Sequence, residues 1–251
     1  MDTIKTPDSS GSAFSRMFNV LAAPGEVFAE IKDRPVEHSN WLMPAVIWAV
    51  LGSVLAFLLF SQPWAISDLT KAQEKAIEKQ VALGKMPQAT ADQAIDGLRR
   101  YMPAVMKIMG VVVTCIYAFA LPFFWAAIMV FFVNTLFKGD VDYMKAAEAA
   151  GLASVIYLVG GVVATLVSFA TGRLASFSPA FFLSDFDLSN RAHLALAALN
   201  PFYLWFLAVI AVAISVLGNV PMRKSLPACA AFWFSLRALF LSNQYTAGWV
   251  M

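Results

Sequence analysis

Residues 41–60 read WLMPAVIWAVLGSVLAFLLF, twenty positions without one ionisable side chain. At about 1.5 Å rise per residue, a helix over this stretch measures about 30 Å, the thickness of a bilayer's hydrocarbon core. In that medium the backbone must satisfy its own N–H and C=O groups, so the stretch has to be helical unless strands close a barrel. Its apolar residues are continuous and do not alternate, which excludes the barrel strand. Four further apolar runs lie at about 108–136, 149–170, 201–217 and 226–241. Together the five specify an all-α membrane protein, a bundle of five transmembrane helices.

Composition agrees. Hydrophobic residues make up 60% of the 251 and charged residues only 14%, where an ordinary globular domain carries about 25% charge. Mean hydropathy is +0.69, more apolar surface than a soluble core of this size can use. The net charge of +2 comes from 18 basic and 16 acidic residues gathered between the apolar runs. They are the charges of solvated loops, and they speak against a nucleic-acid partner. Cys115 and Cys229 both fall in apolar runs without ligand spacing, so they read as inert, buried thiols. The opening MDTIKTPDSSGSAFSRMF lacks a basic region followed by an apolar one. It is no cleavable signal, and the first span is expected to direct insertion.

Along the chain, 1–12 reads as a disordered tail, 13–40 as an amphipathic interfacial segment and 41–251 as the membrane domain. Phe14, Met17, Phe18 and Leu21 recur at helical spacing. Pro24 then opens a second short helix with Val27, Phe28 and Ile31 opposite Glu26, Glu30 and Lys32. Such helices lie in the interface plane or pack on the cytosolic ends of the spans, and both readings stand. After the first span, 67–83 reads as a polar helix with Thr70 and Gln73 in capping-box spacing, and Gly84 stops it. Another helix follows Pro87, with Thr90 and Gln93 as its box. The first loop is thus expected to be a helical hairpin outside the bilayer.

The run at 108–136 would measure about 43 Å as a straight helix, too long for one hydrocarbon thickness, so it must tilt, protrude or bend. Pro122 near its middle favours a kink. The third run pairs Ala147 with Gly151, Ala150 with Ser154 and Gly160 with Ala164. That spacing lets helices approach closely in lipid and marks a packing centre. Residues 173–199 read as an interfacial connection. Asn200 and Pro201 make the N-cap and first turn of the fourth span, and Gly218, Asn219 and Pro221 end it.

With five spans the termini face opposite sides. The short segments on the N-terminal side hold Lys5, Arg16, Lys32, Arg34, Lys138, Lys145, Arg223 and Lys224, against Arg173 and Arg191 in the other short loop. This places the N-terminus in the cytosol and the C-terminus outside. Opposed to it are Lys71, Lys75, Lys79, Lys85, Arg99 and Arg100 in the long first loop.

Three ionisable residues sit in or at the edge of the spans: Lys107, Glu148 and Arg237. Charge in a membrane is a functional candidate by default. Position favours anchoring instead. Lys107 and Arg237 are close enough to a span end to snorkel, and Glu148 reads as a first-turn residue, where the helix dipole welcomes an anion. A role in a pathway or in partner binding is the second reading. No GxSxG, HExxH or Walker pattern occurs, and His38 and His193 have no ligand partners at usual spacing. No catalytic, cofactor-binding or metal residue is therefore assigned, and no cofactor is expected.

The segments LAAPGEVFAEIKDRP before the first span, KGDVDYMKAAEAAGLASVIYLVGG at the third and LNPFYLWFLAVIAV at the fourth resemble the Yip1 family of five-span membrane proteins, over roughly residues 16–241. The resemblance implies a cytosolic N-terminus followed by a helical membrane domain, and no enzyme. Eukaryotic members are associated with vesicle trafficking and bind prenylated small GTPases. Their acidic, tyrosine-containing DLYGP-like motif is missing here, as is a long cytosolic N-domain. That argues against small-GTPase binding and for a prokaryotic-type member in a bacterial cytoplasmic (inner) membrane. The expected function is non-enzymatic: organising or recruiting membrane components, or shaping the bilayer. Its partners would be the lipid bilayer and other membrane proteins or further copies of the chain. A small-molecule transporter or lipid translocator is the alternative.

Overall fold

The computed structural model describes residues 12–175, 177–183 and 190–243, and every regular element among them is helical. Of the tail expected over 1–12, all but Ser12 lies outside the described residues. Ser12 caps α1 (Ala13–Ala22) by accepting from the Ser15 N–H. The chain breaks at Ala23, and Pro24, lacking an N–H that a first turn cannot use, opens α2 (Pro24–Lys32). Met17, Val20, Val27, Phe28 and Ile31 are buried in the main core. Phe14 and Phe18 remain 54% and 58% exposed, their ring centroids 4.9 Å apart. The amphipathic segment therefore packs its inner face on the ends of the long helices and leaves an aromatic edge outward.

The decisive apolar stretch forms α3 (Ser39–Ile47), a π-helical turn Trp48–Gly52 and α4 (Ser53–Leu59), together one 21-residue helix. A Cβ on Gly52 would stand 2.8 Å from Thr114 Cγ2, so the missing side chain at the π turn lets the second long helix approach. The polar helix α5 (Pro63–Ala82) begins four residues before the expected Ser67. Gly84 then reverses the chain at φ +66°. From there α6 (Gln88–Val130) runs without interruption through Pro103 and Pro122 and ends in a second π turn, Phe131–Leu136. The second arm of the hairpin and the second span are one helix of 49 residues, Gln88–Leu136.

Asp142 caps α7 (Tyr143–Ala153) by accepting from the Met144 and Lys145 N–H groups. α8 (Val155–Thr171) continues past Ser154 and stops at Gly172, in the left-handed conformation. A 3-10 turn and α9 (Arg191–Ala198) lead to α10 (Pro201–Leu217), capped by Asn200, and α11 (Met222–Asn243) follows. Among the described residues three helices are long and apolar enough to cross a bilayer: Ser39–Leu59, Gln88–Leu136 and Tyr143–Thr171. The segment Ala192–Ala198 with Pro201–Leu217, bent by 54°, makes a fourth if it is one broken span.

The core centres on α7, where every residue from Lys145 to Ala153 is buried. A Cβ on Gly151 would lie 2.4 Å from Trp41 Cα, so α3 and α7 meet backbone to backbone. The small-residue spacing marks a packing centre here, and the partner it meets at Gly151 is α3. Around it Trp125, Tyr157 and Phe206 interlock, with centroids 5.2 Å apart for Trp125–Phe206 and 4.5 Å for Tyr157–Phe206. Lys32 Nζ donates to Asn219 Oδ1 at 2.6 Å, and a Cβ on Gly139 would reach Gly218 O at 2.9 Å. Hence α1, α2, the loop between α6 and α7 and the loop between α10 and α11 share one end of the bundle. At the other end Trp64 meets Phe169, and Phe177 meets Phe202.

Candidate functional site

At the end of the bundle that carries α1 and α2, six charged side chains and one amide form a continuous network. Arg16, on the inner face of α1, is only 1% exposed. Its Nε and one terminal nitrogen donate to Glu30 Oε1 at 3.2 and 3.0 Å. The other terminal nitrogen donates to Glu37 Oε2 at 2.6 Å and to Asn40 Oδ1 at 3.2 Å. Asn40 passes the connection on, since its Nδ2 donates to Glu148 Oε1 at 2.8 Å. The Glu37 backbone N–H donates to the same oxygen at 3.0 Å. Lys145 Nζ stands 2.5 Å from Glu148 Oε2 and also donates to the Pro35 carbonyl at 3.3 Å. Arg34 joins at 3.5 Å from Glu30.

Lys145 and Glu148 Oε2 form an ion pair, and Oε2 accepts no hydrogen bond among the described residues. Three cations face three carboxylates, so the network is neutral. Burial by itself lowers the Arg16 pKa, but hydrogen bonds and charge from Glu37 and Glu30 outweigh it and hold the guanidinium above its ordinary value. An isolated charge at such depth would be costly, while a fully paired one is tolerated. With its charges spent on one another, the network is suited to fixing α1, α2 and the 33–38 link against α3 and α7.

The three residues singled out from the sequence do not converge. Glu148 is fully buried and lies in the second turn of α7, because the Asp142 cap starts the helix at Tyr143. The first-turn expectation is corrected accordingly, and its partners are side chains and a backbone N–H, not water. Lys107 lies at the opposite end, 5.9 Å from the Phe57 ring, on the wall of a cleft between α5 and α6. Arg237 stacks over Trp233 and Tyr203 at 5.5 and 5.9 Å, a cation held by two aromatic faces near the end of α11. Sequence reasoning missed Arg16, Glu30, Glu37, Asn40 and Lys145 as a group. Lys145 and Glu148, three residues apart in a run of alanines, were the one local signal for it.

No curated protein and no solved structure matches the chain. A family model does match, that of the Yip1 domain, over residues 18–242. Those bounds take in α2, the 33–38 link and every long helix, together with Glu30, Glu37, Asn40, Lys145 and Glu148 of the network. With most of its length matched and its helices apolar enough to span a bilayer, the chain belongs to the Yip1 family and is an integral membrane protein.

Proposed function

We propose that the chain is a non-enzymatic scaffold of the bacterial cytoplasmic (inner) membrane that organises or recruits other membrane components. The observation that carries this reading is the neutral network, buried at Arg16, Asn40, Lys145 and Glu148 and half-exposed at Glu30, Arg34 and Glu37. It commits six charged side chains to holding the amphipathic segment in one position, with Phe14 and Phe18 turned outward. A fixed face with exposed aromatics at the end of a membrane bundle is suited to contact with a partner or with the interface itself. The same reading takes α11 as a fifth span: its 22 residues measure about 33 Å. Arg223 and Lys224 then stand at its cytosolic end beside α1 and α2, and the N-terminus is cytosolic.

A photo-crosslinking residue in place of Phe18 tests the proposal in native membranes. A discrete adduct with another protein or a second copy is expected, and it should disappear when Arg16→Ala releases the segment. A strictly solitary chain, without adduct and indifferent to membrane curvature, would count against the scaffold. Flux or lipid scrambling by proteoliposomes above empty liposomes would move the assignment to a small-molecule transporter or lipid translocator.

A further inference from the structure

At the end of the bundle away from the network, α5 and α6 part to leave a cleft of about 570 Å³, within the range of small-molecule sites. One face of α5 lines it with Ser67, Thr70, Lys71 and Glu74, and one face of α6 with Arg99 and Lys107. Arg99 Nε donates to Glu74 Oε1 at 2.6 Å, so the one carboxylate on the wall is already matched. Lys71 and Lys107 have no carboxylate partner among the described residues, and the Ser67 and Thr70 hydroxyls have no hydrogen-bond partner among them. The wall therefore offers two ammonium groups and two hydroxyls, with a net positive charge. That is a donor set for a phosphate and a poor one for a cation.

Location narrows the choice of phosphate. Lys107 is the last charge on α6 before the apolar run, and its ammonium lies 5.9 Å from the exposed ring of Phe57 on the neighbouring helix α4. On that helix Val54 and Leu58 are exposed beside Phe57, and α4 touches α6 where a Cβ on Gly110 would come within 2.8 Å of the Phe60 ring. A polar cleft thus opens directly above an apolar wall of two touching helices. We propose that this cleft binds the phosphate headgroup of an anionic phospholipid, with its acyl chains along the α4/α6 surface. Lys71 and Lys107 supply the charge, and Ser67 and Thr70 the hydroxyl donors. A zwitterionic headgroup brings its own cation and gains less from the same wall.

Native mass spectrometry of the full chain in detergent, with phosphatidylglycerol, phosphatidylcholine and inorganic phosphate as probes, decides the matter. Phosphatidylglycerol should be retained over phosphatidylcholine, and Lys71→Gln with Lys107→Gln should lower its retention by about tenfold, the loss of charge-assisted contacts. Glu74→Gln should act in the opposite sense, raising retention severalfold by freeing Arg99, an effect that a misfolded variant cannot imitate. Arg223→Gln with Lys224→Gln at the other end should leave it unchanged. Equal retention of the two lipids overturns the proposal. So does a wild-type level in the double glutamine variant, or no gain from Glu74→Gln. Displacement of the lipid by inorganic phosphate would reduce the cleft to a plain anion site and overturn the lipid assignment.

Discussion

Glu148 meets three kinds of donor in one buried place: the Asn40 amide, the Glu37 backbone N–H and the Lys145 ammonium. Replacing it by alanine takes the acceptor from the Asn40 amide and the Glu37 N–H and leaves the Lys145 charge with only the Pro35 carbonyl. The cost of breaking a buried pair on one side is about 3–5 kcal/mol, so Glu148→Ala should melt well below wild type in detergent. Glu148→Gln keeps an oxygen for Asn40 and Glu37 and should fall between the two. Thermal unfolding followed by size-exclusion chromatography measures the order, and an alanine variant melting with wild type would show that the network does not secure the fold. The network was hard to see in the sequence because its members are 14, 21, 24 and 108 residues apart. Arg16 resembled any charge before a first span, and nothing local distinguishes a guanidinium that will be buried. Glu148 was visible as a charge but was placed one turn too early, because the apolar run begins later than the helix that Asp142 caps.

Glycines at two positions in the third long helix separate packing from propensity. At Gly151 an added Cβ would meet Trp41 backbone at 2.4 Å, and backbone cannot swing aside as a side-chain tip can. At Gly161 an added Cβ would meet nothing within 4 Å. Gly151→Ala is therefore expected to destabilise by about 1–3 kcal/mol through overpacking. Gly161→Ala should be neutral or stabilising by up to about 1 kcal/mol, since glycine is the poorer helix former. Thermal melts of both variants check the contrast, and equal effects would refute the backbone contact between α3 and α7. At this scale most of the fold was legible, because its signals are local. Gly84 stops α5, Asn200 with Pro201 starts α10, and the spacing of small residues marks α7. The π turns at Trp48–Gly52 and Phe131–Leu136 were not legible. Their composition is that of any apolar helix, and no residue type in them marks the change of turn.

The arrangement of the whole molecule gathers the segment before α3, the loop after α6 and the loop after α10 at one end, and the α5/α6 hairpin with the end of α8 at the other. In a background lacking Cys115 and Cys229, single cysteines in place of Asp33 and Asp140 should react with a membrane-impermeant maleimide only after permeabilisation. Cysteines in place of Lys85 and Arg173 should react in intact cells. A cysteine replacing Asn243 should behave like the one replacing Lys85 if α11 crosses the bilayer, and like the one replacing Asp33 if it does not. The opposite pattern for the first four would invert the orientation drawn from the short loops. Sequence charge favours the N-terminus inside through the short segments alone, since the long first loop sets six basic residues against their eight.

The continuity of α6 matters for what can approach the hairpin end of the bundle. Ahead of Ile108 the helix has twenty residues, about 30 Å at 1.5 Å each, braced by α5 through Arg99 and Glu74. A two-helix post of that height is stiffer than a loop of equal length. A flat body facing this end of the bundle meets its tip at Gly84 and Lys85 before it meets the apolar run. The hairpin is a built-in standoff, and shortening it would change the clearance over the protein without touching the bundle below.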